Sequence, residues 1–347
     1  MYKRQNTVIE ERTDFSSKIL LFTSLPFYPA KEEIMELNPI QKYNRALDYL
    51  FKGTAAFFAL LIVAVMIGIL LQLLENSLPA IHKFGFSFLF SQEWNPVSGK
   101  FGAASSIYGT LISTVIAMIL AVPLSLVIAL FLVELAPPLI GNLVGNAIEL
   151  LAAIPSIIYG MWGLFVFAPF MEKHIQIPLQ EHFGFIPLFQ GPPMGIGMLS
   201  AGIILALMVL PFVCAVMRDV FRMVPSVVKE ASYGMGSTTW EVTRRVTISY
   251  GVQGLLGAII LGLGRAIGET MAVTFVIGNS HSISPSLFEA GNTIASTLAN
   301  EFTEADNPIY LSALVSLGLV LFLITFVIQI IAHFWLKRIR KSMGGGL

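Results

Sequence analysis

The stretch "KEASYGMGSTTWEVTRRVTIS", Lys229–Ser249, lies between two long apolar runs, and the fold turns on how it is read. Its hydrophobic and polar residues alternate at helical spacing, and Gly234 and Gly236 interrupt them. The pattern predicts two short helices with a turn between. A helix–turn–helix of this size, exposed between membrane spans, has too little apolar surface to pack a core of its own. It needs a partner surface, unless it lies as an ordinary amphipathic loop on the bilayer.

The runs on either side place the chain in a membrane. Of its 347 residues, 55% are hydrophobic and 12% charged, against about 25% charged in soluble domains. Mean hydropathy is +0.77. A spanning helix needs about 20 mostly apolar residues, and six candidates meet that length. They are Gly53–Leu74, a stretch within Phe101–Val133, and stretches near Ile148–Phe170, Ile196–Met217, Gly251–Ile277 and Tyr310–Trp335. The architecture expected is an all-α polytopic membrane protein with six transmembrane helices.

Lys and Arg fix an orientation. Seventeen fall in residues 1–52, in 218–250 and after 336, whereas Lys83, Lys100 and Lys173 are the three in the alternate loops. The positive-inside rule puts both termini and the 218–250 loop in the cytoplasm. Residues 75–106, 171–195 and 278–307 then face outward. The chain therefore divides into a cytoplasmic leader (1–52), a transmembrane domain (53–336) and a cytoplasmic tail (337–347). The leader contains an amphipathic pattern interrupted near Pro39, and the tail "KSMGGGL" reads as flexible. The net charge of zero gives no sign of a polyanionic partner. Cys214, alone of its kind, can form no intrachain disulfide. The five histidines show no metal-ligand spacing, and no nucleophile–base arrangement is visible.

One span departs from apolar composition. "LGLGRAIGETMAVTFVIGN", Leu261–Asn279, carries Arg265 and Glu269. At i and i+4 on an uninterrupted helix they share a face, about one turn apart. A lone Arg at mid-membrane costs between ~2.5 and ~17 kcal/mol, so it must face a cavity or a partner charge. Intramembrane ionisable residues mark substrate pathways. Buried ion pairs seldom add net stability over apolar residues, so the two read as pathway residues rather than packing. The glycines around them, Gly262, Gly264 and Gly268, suit close helix packing. Thr110, Ser113 and Thr114 read as back-bonding or packing residues. Pro123 and Pro155 read as kinks in spans two and three.

Several segments together resemble a known family. "EAS" at Glu230–Ser232, with Gly236 six residues after Glu230 and then Val246 and Ile248, resembles the EAA loop of ABC importer permeases. Ser232 stands where that pattern has a second Ala, and Ser249 where it has Pro. "ELLAAIPSIIYGMWGLFVFAP", "FQGPPMGIGMLSAGIILALMVLPF", "VMRDVF", "GLGRAIGETMAVTFVIGN" and "FEAGNTIASTLANEFTEAD" occur in the order seen in PstC-type permease subunits of the Pst phosphate importer. The likeness runs from about residue 84 to about 335.

The resemblance implies a type I ABC importer permease fold and transport of inorganic phosphate. It implies that Glu230, Ala231, Ser232 and Gly236 engage a separate ATPase. It also implies a PstA-type permease as the other half of the pathway, a PstB-type ATPase dimer, and a PstS-type phosphate-binding protein outside. The chain has no G-x-x-x-x-G-K-[ST]; "NPVSGKF" lacks both the leading Gly and the final Ser/Thr. ATP and Mg would thus belong to the partner ATPase, and this chain would carry no cofactor. On this reading Arg265 offers phosphate a planar fork, and Glu269 either holds Arg265 or accepts a hydrogen bond from a protonated phosphate oxygen. The alternatives are a permease for sulfate or molybdate, or an ion-coupled carrier using Glu269 as a proton relay.

Overall fold

The computed structural model describes residues 39–342, so the leader before Pro39 and the end of the tail lie outside the described residues. The chain divides into two units, Met1–Met66 and Ile67–Leu347. Ordered by chain, the principal helices are α1 (Pro39–Phe84), α2 (Ala104–Leu135), α3 (Pro138–Ala152), α4 (Ser156–Phe183), α5 (Met198–Arg222) and α6 (Ser226–Gly234). They are followed by α7 (Thr239–Ile267), α8 (Met271–Val276), α9 (Ile294–Glu301) and α10 (Pro308–Ser342). The described residues contain two isolated β-bridges and no strand.

Five helices, α1, α2, α5, α7 and α10, are long and apolar enough to cross a membrane. The pair α3 and α4, bent by 90° at Pro155, makes a sixth if counted as one span. The expected third span is thus not one straight helix but this bent pair. The break is local chemistry. Proline has no N–H to continue a helix and disfavours helical geometry in the residue before it. The freed backbone finds partners at once, with the Leu151 carbonyl accepting from Ile154 N at 3.2 Å and from the Tyr159 hydroxyl at 3.0 Å. Pro123, by contrast, lies inside α2 without interrupting the helix.

The centre of the bundle is the seam between α2 and α5. From Ala104 to Leu130 the buried face of α2 carries only small side chains, among them Gly109, Ser113, Ala117, Ala121, Ser125 and Ala129. Lipid tails are as apolar as Leu, so burial in a membrane gains little from the hydrophobic effect. Dispersion between closely approached backbones must hold the helices together, and small residues permit that approach. At Gly202 on α5 the approach is so close that a Cβ would sit 2.6 Å from Ile116 Cγ2. Gly262 on α7 meets Val213 of α5 in the same manner, which is the packing role its sequence context implied. The Ser125 hydroxyl donates to the Leu210 carbonyl at 3.0 Å across the seam. Thr110 and Ser113 donate back to the carbonyls of Ser106 and Gly109, each at 2.7 Å, as expected.

At the Met198 end of α5, the 276–291 segment folds over the bundle. Its carbonyls satisfy the otherwise orphaned N–H groups of that terminus: Gly197 N donates to Val276 O at 2.9 Å and Leu199 N to Leu287 O at 2.8 Å. A second apolar cluster of Ala80, Phe88, Phe101, Tyr310, Leu314 and Leu317 lies beside it.

Four π-helical turns interrupt these helices, at Phe131–Leu135, Gly163–Phe167, Glu172–Gln176 and Thr243–Thr247. The two on α4 are each followed within two residues by a proline, Pro169 or Pro178. A proline ring collides with the carbonyl four residues before it, and a wider turn relieves that clash.

Candidate translocation site

The stretch that holds Arg265 and Glu269 is not one helix. Helix α7 ends at Ile267, Gly268 caps it with φ −87° and ψ 2°, and α8 starts after Thr270. The bonds at the break are long, with Gly268 N to Gly264 O and Glu269 N to Ala266 O both 3.4 Å. The i, i+4 relation therefore does not hold, and the expected shared face is corrected. Among the described residues no carboxylate lies within ion-pair distance of Arg265. Two local preferences explain the break. Gly268 lowers the cost of leaving the helix, and the Glu269 carboxylate is better used as a cap. Its Oε1 accepts from Ala272 N at 3.2 Å, which satisfies an orphan donor at the start of α8.

Arg265 is half-buried in the last turn of α7. Its Cζ stands 5.6 Å from the centroid of the Phe212 ring on α5, within cation–π range. Its Nε is buried without a hydrogen-bond partner. A guanidinium held over an aromatic face with one N–H left unpartnered has the chemistry to receive an anion.

Helix α8 is set against the first turns of α4. At Gly160 a Cβ would lie 2.8 Å from Phe275 Cδ2 and 3.0 Å from Ala272 Cα, and at Gly163 it would lie 2.9 Å from Val276 Cγ1. Two broken helices, α3–α4 at Pro155 and α7–α8 at Gly268, thus pack together where the intramembrane charges lie. Interrupted helices at membrane depth are tolerated where they are buried in protein or line a cavity. Thr270, Thr274 and Asn279 spend their polar atoms locally: Thr274 donates to Thr270 O at 2.7 Å and Asn279 Nδ2 to Thr274 O at 3.0 Å.

The second group of expected residues sits at the other end of α7. Glu230, Ala231 and Ser232 lie on α6, and Gly236 shapes its exit. Gly236 has φ +87°, a left-handed conformation that side chains with a Cβ rarely adopt, and a Cβ there would meet nothing within 4 Å. Its backbone conformation, not crowding, calls for glycine. Ser232, which departs from the motif, is the one of the four that is buried; a small side chain suits the position. The second short helix expected in this loop is not separate. Thr238 and Glu241 form a capping box, and from there α7 runs without a break.

Three polar clusters were not singled out in the sequence. Glu134 of α2 takes Lys229 of α6 at 2.6 Å. Arg218 of α5, 3% exposed, pairs with Glu149 of α3. At the opposite end, Glu301 accepts from Trp94 Nε1 at 2.6 Å, from the Tyr310 hydroxyl at 2.7 Å and from His281 Nε2 at 3.0 Å. The Trp94 and His281 rings stack at 5.4 Å. The available signal was charge isolation, since Glu134 is the one charged residue between Phe101 and Ile148.

Residues 96–341 match the family model described as "Binding-protein-dependent transport system inner membrane component". The chain is 53% identical over 301 residues to the phosphate transport system permease protein PstC of Mesorhizobium japonicum, covering 86% of this chain and 92% of that one. It is 51% identical over 305 residues to the protein of the same name in Pasteurella multocida, covering 87% and 95%. Among solved structures it resembles a chain of a bacterial alginate ABC transporter in complex with a periplasmic protein, with TM-score 0.55 and 17% identity, covering 86% of this chain and 96% of that one.

Proposed function

The chain belongs to the binding-protein-dependent transport inner-membrane components, among the PstC-type permeases, and from that premise we propose how its geometry moves inorganic phosphate. It is a multi-pass permease subunit of a phosphate ABC importer in the inner membrane. An ATPase and an external binding protein complete such a machine. In our reading these are a PstB-type ATPase dimer and a PstS-type protein, with a related PstA-type permease as the other half of the pathway. Both termini and α6 lie in the cytoplasm, as the Lys and Arg distribution supports. ATP and Mg belong to the ATPase, which α6 engages through Glu230, Ala231, Ser232 and the Gly236 turn.

The observation that carries the substrate site is Arg265. It has a half-buried guanidinium over Phe212, a buried Nε without a partner and, among the described residues, no carboxylate within ion-pair distance. A phosphate passing the α7–α8 break meets a planar fork whose attraction is strengthened by the low-dielectric surroundings. Glu269 does not neutralise that fork in this conformation. One carboxylate oxygen caps α8; in our reading the other accepts a hydrogen bond from a protonated phosphate oxygen, a donor that sulfate lacks at neutral pH. ATP binding and docking of the loaded binding protein favour the same outward-open state, as linkage requires.

The test is labelled phosphate uptake in cells lacking their own high-affinity import and supplied with the partner subunits. Uptake that resists sulfate and molybdate, stops on ATP depletion with the proton gradient intact, and collapses in Arg265→Gln at matched membrane levels supports the reading. Normal uptake in Arg265→Gln removes Arg265 from the pathway. Uptake that survives ATP depletion makes the protein an ion-coupled carrier.

A further inference from the structure

We propose that Glu134, Lys229 and Thr247 form a latch that carries the motion of α6 into the membrane spans; the inference rests on the ABC-importer reading above. Three elements meet at one carboxylate oxygen. Lys229 Nζ of α6 donates to Glu134 Oε1 at 2.6 Å, and Thr247 Oγ1 of α7 donates to the same oxygen at 3.0 Å. The Glu134 side chain is 7% exposed and that of Lys229 18%. Glu134 lies in the π turn that ends α2, and Thr247 in the π turn at the base of α7.

Helix α6 has little else to hold it. Ser232 is its one buried residue, while Val227, Val228, Tyr233 and the adjacent Met235 are exposed. Among the described residues Lys229 makes the one side-chain hydrogen bond from α6 to another element. An apolar contact transmits a push but parts under a pull. A charge-assisted bond between largely buried groups resists both, because separation leaves an unpaired charge away from water. An element that must move the spans inward and outward in each cycle needs that two-way grip. The sharing of Glu134 Oε1 couples the three elements, so that a shift of α6 draws on α2 and the base of α7 together. Lys229 and Glu134 act here as positioning residues, since neither touches phosphate or ATP.

The experiment uses the assembled importer in proteoliposomes, with all partner subunits, comparing wild type with Glu134→Gln, Lys229→Met and the exchange Glu134→Lys/Lys229→Glu. Phosphate imported, ATP hydrolysed without binding protein, and ATP hydrolysed with phosphate-loaded binding protein are measured on complexes shown to be intact. In the single variants basal hydrolysis should persist. Stimulation by the loaded binding protein and phosphate imported per ATP should each fall about tenfold, within the usual range of coupling free energies. The exchange should recover a substantial part of both. The latch is overturned if intact single-variant complexes keep the wild-type stimulation and ratio, or if the exchange is no better than the single variants. A wild-type complex that imports no phosphate would instead overturn the transport reading.

Discussion

At the scale of single residues, the site is decided by what each charge does with its neighbours. Glu269 caps α8 through Oε1, so structural and transport roles can be separated by choice of substitution. Glu269→Gln keeps an acceptor for Ala272 N and should leave thermal stability in detergent within error while narrowing the preference for phosphate over sulfate. Glu269→Ala should in addition lower stability by about 1 kcal/mol, the usual worth of a cap. Unchanged phosphate and sulfate handling in Glu269→Gln would take the carboxylate out of substrate selection. Glu301 gives a pH-dependent counterpart outside the spans. Burial pushes its carboxyl up, but hydrogen bonds from His281, Tyr310 and Trp94 together hold it below the usual carboxylate range. A carboxyl depressed by folding contributes stability that is present above its unfolded pKa and is lost as pH falls through the folded value. The protein should therefore lose thermal stability on acidification through and below about pH 4. Glu301→Gln should be less stable at neutral pH and should lose less over the same interval.

At the scale of elements, the fold depends on close backbone approach more than on apolar bulk. Gly109 of α2 faces the Asn292 carbonyl so closely that a Cβ would overlap it. That carbonyl belongs to the segment leading into α9, whose Ile294 N is held by Thr110 Oγ1 at 3.0 Å. Gly109→Ala should cost about 1–3 kcal/mol, as overpacking does, read as a lower melting temperature with the α9 end most affected. Element boundaries were the part of the sequence that misled. A hydropathy window sees apolar length, and Gly251–Ile277 has that length. It does not see that Gly268 and the capping use of Glu269 end one helix and start another. The bend at Pro155 was visible as a proline, but a proline alone does not state its 90° magnitude.

At the scale of the whole molecule, the sequence was legible wherever the membrane constrains it. Apolar length marked the spans, and the order of motifs marked the family, because both are properties of contiguous residues. Arg265, Glu269 and the α6 residues can be singled out in the sequence because they stand out within their own segments. Phe212 beneath Arg265, and Glu134 beneath Lys229, were not, since each acquires its meaning from a partner far away in the chain. Glu134 and Lys229 are separated by 95 positions, a distance at which spacing arguments have no force.

The π turns at Phe131–Leu135 and Thr243–Thr247 also bear on how such a chain can diverge. A π turn holds one residue more than the α-helical turn it replaces. Removing one residue there restores a regular helix and leaves the flanking faces in phase. The same deletion elsewhere in α2 or α7 would rotate everything beyond it by about 100° and turn the small-residue seam toward lipid. Length changes within these spans should thus be confined among descendants of this sequence to those two places, beside the groups that grip α6.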